Sequence, residues 1–249
     1  MISVKPEIFL LIFIRVCAAV MFLPLVGSVA RRAWLAIFCA AVSWVVYPIA
    51  QARLVDSIPT SMEQLMFLAC EQLVVGLLVG FWVRISLAAF EISGQLVGFQ
   101  MGFAVANVFD PMSSLEASVI AHIEELLAAL IFFATNLHHT LLEGLLLGIG
   151  PKPWILGHPN AMLNLVLMAG SMFEAALKIS APVIASLFLS KIALSILARA
   201  VPQINAFMFG FPITIGLGLI MLSFTLPQIA TNARGFLGYA MKIAHAIGR

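Results

Sequence analysis

The 249-residue chain is 63% hydrophobic and 10% charged, with a mean hydropathy of +1.11, so its solvent is lipid or other protein rather than water alone. A net charge of +2 gives no basic field for nucleic acid. The three cysteines, Cys17, Cys39 and Cys70, are scattered in apolar segments without a CxxC pair and read as buried, inert thiols.

Six apolar segments follow one another, at about 8–29, 33–52, 62–90, 126–149, 163–197 and 206–229. Each is near the roughly 20 residues a helix needs to cross a bilayer core. Lys5 precedes the first, which is long enough to be read as a span rather than the short core of a signal peptide. Leucine and alanine dominate and no period-two alternation is sustained, so the expected fold class is all-α and not a barrel. Breaks are expected at 28–32, 53–60, 106–114, 150–160 and 200–205. The proline- and glycine-rich 150–160 loop divides the chain into two parts.

Charges within or near the apolar segments need partners or must reach toward a helix end. They are Arg15, Glu71, Arg84, Glu174, Lys178 and Lys191. Glu174 and Lys178 are four apart and are expected to pair along one helix face. Six alternating spans would put Lys5, Arg53, Lys152, Arg234, Lys242 and Arg249 on one side. Arg31, Arg32, Arg84, Lys191 and Arg199 would lie on the other, a balance that sets no orientation. Helices resting against protein more than lipid would produce such a weak bias.

The stretch 91–114, EISGQLVGFQMGFAVANVFDPMSS, stands apart. Gly94, Gly98 and Gly102 are four apart, a spacing that lets another backbone approach one helical face. We expect tight helix packing there, between subunits in preference to within the chain. Asn107, Asp110 and Pro111 then interrupt the helix, because proline disfavours the helical region for the residue before it. A break inside so apolar a chain must be sheltered by protein, since lipid satisfies no backbone group. Met101, Phe103, Val108, Phe109 and Met112 furnish soft, bulky groups able to close a conduit by excluding water.

Catalysis finds no support. No GxSxG, Walker loop or dinucleotide fingerprint is present. His122, Glu124 and Glu125, and again His138, His139 and Glu143, share helical stretches without HExxH or Glu-x-x-His spacing, so they read as helix-end polar groups and no metal or cofactor is expected. From the residues alone, a secondary transporter with broken helices around a midplane site stays open beside a multi-subunit conduit.

Three segments carry a resemblance. GQLVGFQMGFAVANVFDP at 94–111 resembles the central signature of the FliR/SctT family of type III secretion export-gate proteins. AVPQINAFMFGFPITIGLG at 200–218 is similar to the family's Pro-Gln-x-Asn-x-Phe segment and the helix after it, and RVCAAVMFLPLVGSVARRAW at 15–34 to its N-terminal pattern. Gly210-Phe211-Pro212 leans toward the flagellar branch over the injectisome branch. The resemblance covers nearly the whole chain. It implies one 1–249 unit with a FliP-like part at about 1–150 and a FliQ-like helical hairpin at about 160–249. It also implies a helical export gate built with FliP and FliQ homologues, with FlhB and FlhA homologues adjacent. That gate sits in the bacterial inner membrane at the flagellar basal body, and unfolded substrates pass through it. On this resemblance the plug is 104–114, sealed by Val108 and Phe109 jointly, with Met101, Phe103 and Met112 as second choices. Pro202, Gln203 and Asn205 mark the turn between the last two helices.

Overall fold

The computed structural model describes residues 5–22, 32–54, 61–103, 119–147, 161–201 and 206–247. Among these there are seven helices and no strand: α1 Pro6–Val20, α2 Arg32–Leu54, α3 Met62–Met101, α4 Val119–Ala134, α5 Leu137–Leu147, α6 Ala161–Ala200 and α7 Ala206–Ile247. Three helical stretches, Met62–Met101, Ala169–Ala200 and Met208–Pro227, are long and apolar enough to cross a membrane, and α4 with α5 makes a fourth if taken as one broken span. Of the six expected spans, the first lies only partly within the described residues, where it is a 15-residue helix, and the apolar part of α2, Ala33–Pro48, is shorter than a span. The segment expected over 126–149 is interrupted at Asn136, whose φ of 56° lies in the left-handed region that asparagine tolerates. The Asn136 N–H donates to the Phe133 carbonyl at 3.1 Å, and the Asn136 carbonyl accepts from the His139 N–H at 3.0 Å, so the break leaves these backbone groups satisfied.

The chain forms two compact units, each assembled from separated segments: residues 1–86, 133–169 and 237–249 in the first, and 87–132 and 170–236 in the second.

In the first unit α1 begins at Pro6, whose fixed φ suits a helix start and whose missing N–H would have no partner there. Ile8, Ile12, Val16 and Val20 recur every four residues and form one face. That face is buried with Cys39, Val46, Tyr47 and Ala50 of α2. The Tyr47 hydroxyl accepts the Lys5 N–H at 2.7 Å, and Phe9 meets Trp44 edge-on with ring centroids 6.2 Å apart. Gly76 and Gly80 of α3 lie against α1. A Cβ on Gly76 would fall on the Arg15 carbonyl oxygen, and one on Gly80 would lie 3.0 Å from the Ala19 Cα. Glycine is required at both because backbone, not side chain, occupies the space. Of the cysteines, Cys39 is buried and Cys17 half-buried, but Cys70 is exposed on α3, contrary to expectation.

This close approach carries Arg15 inward. Its side chain does not reach for a helix end but is 1% exposed, with Nη1 donating to the Gln72 Oε1 at 2.9 Å and Glu71 acting on it electrostatically. Nε and Nη2 have no hydrogen-bond partner. Gln72→Leu removes the acceptor and leaves the charge buried, so a loss of about 1.5–3 kcal/mol is expected. Exchanging both groups for apolar ones, Arg15→Met with Gln72→Leu, should cost less than Gln72→Leu alone. Thermal loss of helical circular dichroism in detergent measures both. A double variant no more stable than Gln72→Leu would refute the pairing.

In the second unit the core is Val97, Met101, Ile120, Val183, Leu187 and Leu222, drawn from α3, α4, α6 and α7. Hydroxyls inside these apolar helices bond to their own backbone. Ser186 donates to the Val183 carbonyl, Ser190 to Leu187 and Thr225 to Met221, so these three need no water. Pro182 and Pro227 interrupt α6 and α7 without ending them. Membrane helices accept such prolines where neighbouring groups re-satisfy the backbone. Only 11% of the apolar window of α6 and 22% of that of α7 is buried. Phe173, Phe188, Phe209 and Phe224 stand exposed on them.

Candidate functional site: the end of the third helix

The second unit gathers five of the residues singled out in the sequence at the end of α3. Gly94 comes first. A Cβ there would lie 2.8 Å from the Ala121 nitrogen and 2.9 Å from the Ile120 carbonyl oxygen, so α4 crosses at backbone distance within the chain. Beside this crossing Glu124 is 1% exposed and faces Ser93, and the Glu124 Oε2 and Ser93 Oγ lack well-formed hydrogen bonds. Gly98 is buried one turn on.

Gly102 does something other than pack. Its φ is +96°. Its N–H donates to the Phe99 carbonyl at 3.1 Å, and the Phe103 N–H donates back to the Gly98 carbonyl at 3.1 Å. That pair of bonds is a Schellman stop, in which a left-handed glycine turns the chain and satisfies carbonyls the helix would leave open. A side chain at this φ would be strained. α3 therefore ends with two residues, Gly102 and Phe103, between it and the expected plug, and it ends by a defined hydrogen-bond pattern.

Met101 is wholly buried in the unit's core, and Phe103 is half-buried against the same cluster. The Met101 side chain rests on Gly218 of α7, where an added Cβ would lie 2.8 Å from Cγ and 3.1 Å from Sδ. The Met101 carbonyl, one of the last four of α3, accepts from the Thr214 hydroxyl at 3.2 Å. The Phe211 ring lies against Gly102, 3.3 Å from where a Cβ would be. Lys191 of α6 donates to the Gln100 Oε1 at 2.7 Å. Sequence reasoning missed Phe211, Thr214 and Gly218 at this place. A threonine in an apolar helix, one turn before a glycine, was the available signal.

Glu174 and Lys178 form the ion pair expected from their spacing, Oε1 to Nζ 2.6 Å, with both side chains mostly exposed on α6. They line a cavity of about 290 Å³ with Ser171, Ile179, Thr231 and Gly235. Asn107, Val108, Phe109, Asp110, Pro111 and Met112 lie outside the described residues, as do Pro202, Gln203 and Asn205. His122 Nδ1 is 3.8 Å from Glu125 Oε2, and His138 packs on His139 with ring centroids 4.3 Å apart. Among the described residues no three His, Cys, Asp or Glu side chains converge.

Residues 7–239 match the family of bacterial export proteins, family 1. The flagellar biosynthetic protein FliR of Bacillus subtilis strain 168 is 34% identical over 223 residues, covering 86% of this chain and 84% of that protein. FliR of Escherichia coli K12 is 31% identical, covering 75% and 72%. FliR of Caulobacter vibrioides is 24% identical with 88% of each chain covered. This chain, whose described residues hold helices and three membrane-length apolar stretches and which matches these relatives over most of its length, belongs to the FliR family of bacterial export proteins, non-enzymatic components of the flagellar type III export apparatus.

Proposed function

We propose that this chain is a gate subunit of the flagellar export conduit. It packs with FliP and FliQ homologues in the bacterial inner membrane at the flagellar basal body, beside FlhB and FlhA homologues. It contributes 104–114 as a plug across the path of unfolded substrates. The observation that carries this reading is the exposed apolar surface of α6 and α7. Helices this apolar, yet so little buried within the chain, call for other apolar helices or lipid as neighbours. The Glu174–Lys178 pair on α6 favours protein over lipid, because a charge pair in hydrocarbon is costly while one against protein finds polar groups. The Schellman stop supports the plug assignment. It ends α3 by a defined turn at Gly102, just before the segment that the resemblance makes the plug.

Co-expression with the FliP and FliQ homologues, purification through a tag on this chain and native mass measurement test the reading. One large hetero-oligomer containing this chain is expected. A stable small particle that excludes both homologues would refute it.

A further inference from the structure

We infer that Phe211, Thr214 and Gly218 of α7 are positioning residues that clamp the end of α3 and so fix where the next segment leaves the fold. The inference rests on the plug reading of 104–114, which it deepens by naming what holds the plug's root.

Three different kinds of contact converge on two consecutive residues, Met101 and Gly102. Thr214 supplies a donor to the Met101 carbonyl, which the helix itself leaves open. The same hydroxyl lies 3.0 Å from the Gly210 carbonyl and 3.1 Å from that of Phe211, so its single proton is shared between holding α3 and bonding within α7. Gly218, one turn further along α7, opens a notch filled by the fully buried Met101 side chain. Phe211, nearly one turn before Thr214, lays its ring on Gly102, the residue that turns the chain. Residues 211, 214 and 218 follow helical spacing, so one stripe of α7 makes every contact. Lys191 on α6 adds a fourth restraint through Gln100. A helix end normally frays, because its last carbonyls lack partners. This one is held by its own stop and by α7, so a displacement of α7 would be passed to the root of the plug.

The test uses the purified complex of this chain with FliP and FliQ homologues in phosphatidylcholine vesicles. Hydrogen–deuterium exchange at 98–103 and efflux of a trapped small dye are read together, with Val108→Gly/Phe109→Gly as the unplugged reference. Thr214→Val keeps the shape and removes the donor, and is expected to speed exchange at 98–103 by about threefold, with a matching rise in efflux. Gly218→Leu fills the notch and is expected to bring efflux to the level of the reference. Met101→Ala with Gly218→Leu returns the volume, and should move both readouts back toward wild type. Unchanged exchange in Thr214→Val overturns the clamp, as does a double variant no tighter than Gly218→Leu. If Gly218→Leu does not assemble, Thr214→Val decides alone. Faster exchange at 98–103 alongside a reference that does not leak would keep the clamp and sink the plug reading. A leaking reference with unchanged exchange would do the reverse.

Discussion

Gly94→Leu should abolish recovery of folded chain, and Gly94→Ala should already lower it severely. The reason is the identity of what faces Gly94. A new Cβ would fall against the Ala121 backbone, 2.8 Å from its nitrogen and 2.9 Å from the Ile120 carbonyl oxygen. Side chains can rotate away from an intruder, but a helix backbone can only translate. Moving α4 outward would loosen Ile120 from Val97 and Met101 in the same core and would open the seat of Glu124, already short of hydrogen bonds. Overpacking typically costs about 1–3 kcal/mol, and more where backbone must move, which is a large share of a marginal folding free energy. Gly170→Ala and Gly216→Ala are the controls, because a Cβ at either meets nothing within 4 Å. Monodisperse yield in detergent ranks the variants. Gly94→Leu recovered as well as Gly170→Ala would show that α3 and α4 do not cross at this distance.

The contrast between Gly94 and Gly102 shows where sequence reading stops. Spacing placed both on one ladder, and spacing cannot separate a glycine that admits a neighbour from one that ends a helix. Both lie four residues from Gly98, but only Gly102 adopts a positive φ. Helix extents were legible where hydropathy was uniform. α6 was expected over 163–197 and runs Ala161–Ala200. Helix ends were less legible. The glycine ladder after the apolar 62–90 segment was read as helical and is continuous with it in α3, but the helix stops at Gly102 and not at the Asp110-Pro111 expected to interrupt it. Glu91 and Gln95 bond to each other at 3.5 Å along its surface, and Ser93 turns inward. α7 passes through Asn232 and Arg234 to Ile247. Met101 was readable as an apolar group near the plug. That it serves the core at Gly218 depends on a residue 117 positions away, which no local pattern reports.

The buried polar groups were the least legible. Arg15 and Glu124 both invite the reading of polar groups at helix ends, yet each is 1% exposed. In both cases a glycine on α3 is nearby in the fold. Gly76 lies against Arg15, and Gly94 lies against Ala121, three residues before Glu124. Glycines that bring backbones together also bring the polar side chains beside them out of solvent. A GxxxG pattern near an embedded charge is therefore a better sign of burial than the charge alone.

Replacing Val108 and Phe109 together by glycine should leave the hetero-oligomer assembled and make it leak. The residues that fold α3 and its stop, Gly94 to Phe103, are untouched by this change, so the core of the second unit keeps its contacts. What is lost is apolar bulk. A constriction lined by such groups holds back water and ions by dewetting, and glycine supplies neither volume nor an apolar surface. Efflux of a small dye from vesicles carrying the complex is expected to rise roughly tenfold or more, since a dewetted barrier passes solute only in rare openings. The single variants separate the two side chains. If Phe109→Gly alone accounts for the rise, the aromatic ring is the seal. If each single variant leaks weakly and the pair strongly, the seal is joint, as proposed. Native mass fixes the interpretation, because a leak counts only from complexes of unchanged composition. Intact complexes of the double variant that are as tight as wild type would remove Val108 and Phe109 from the barrier and leave the plug without its sealing residues.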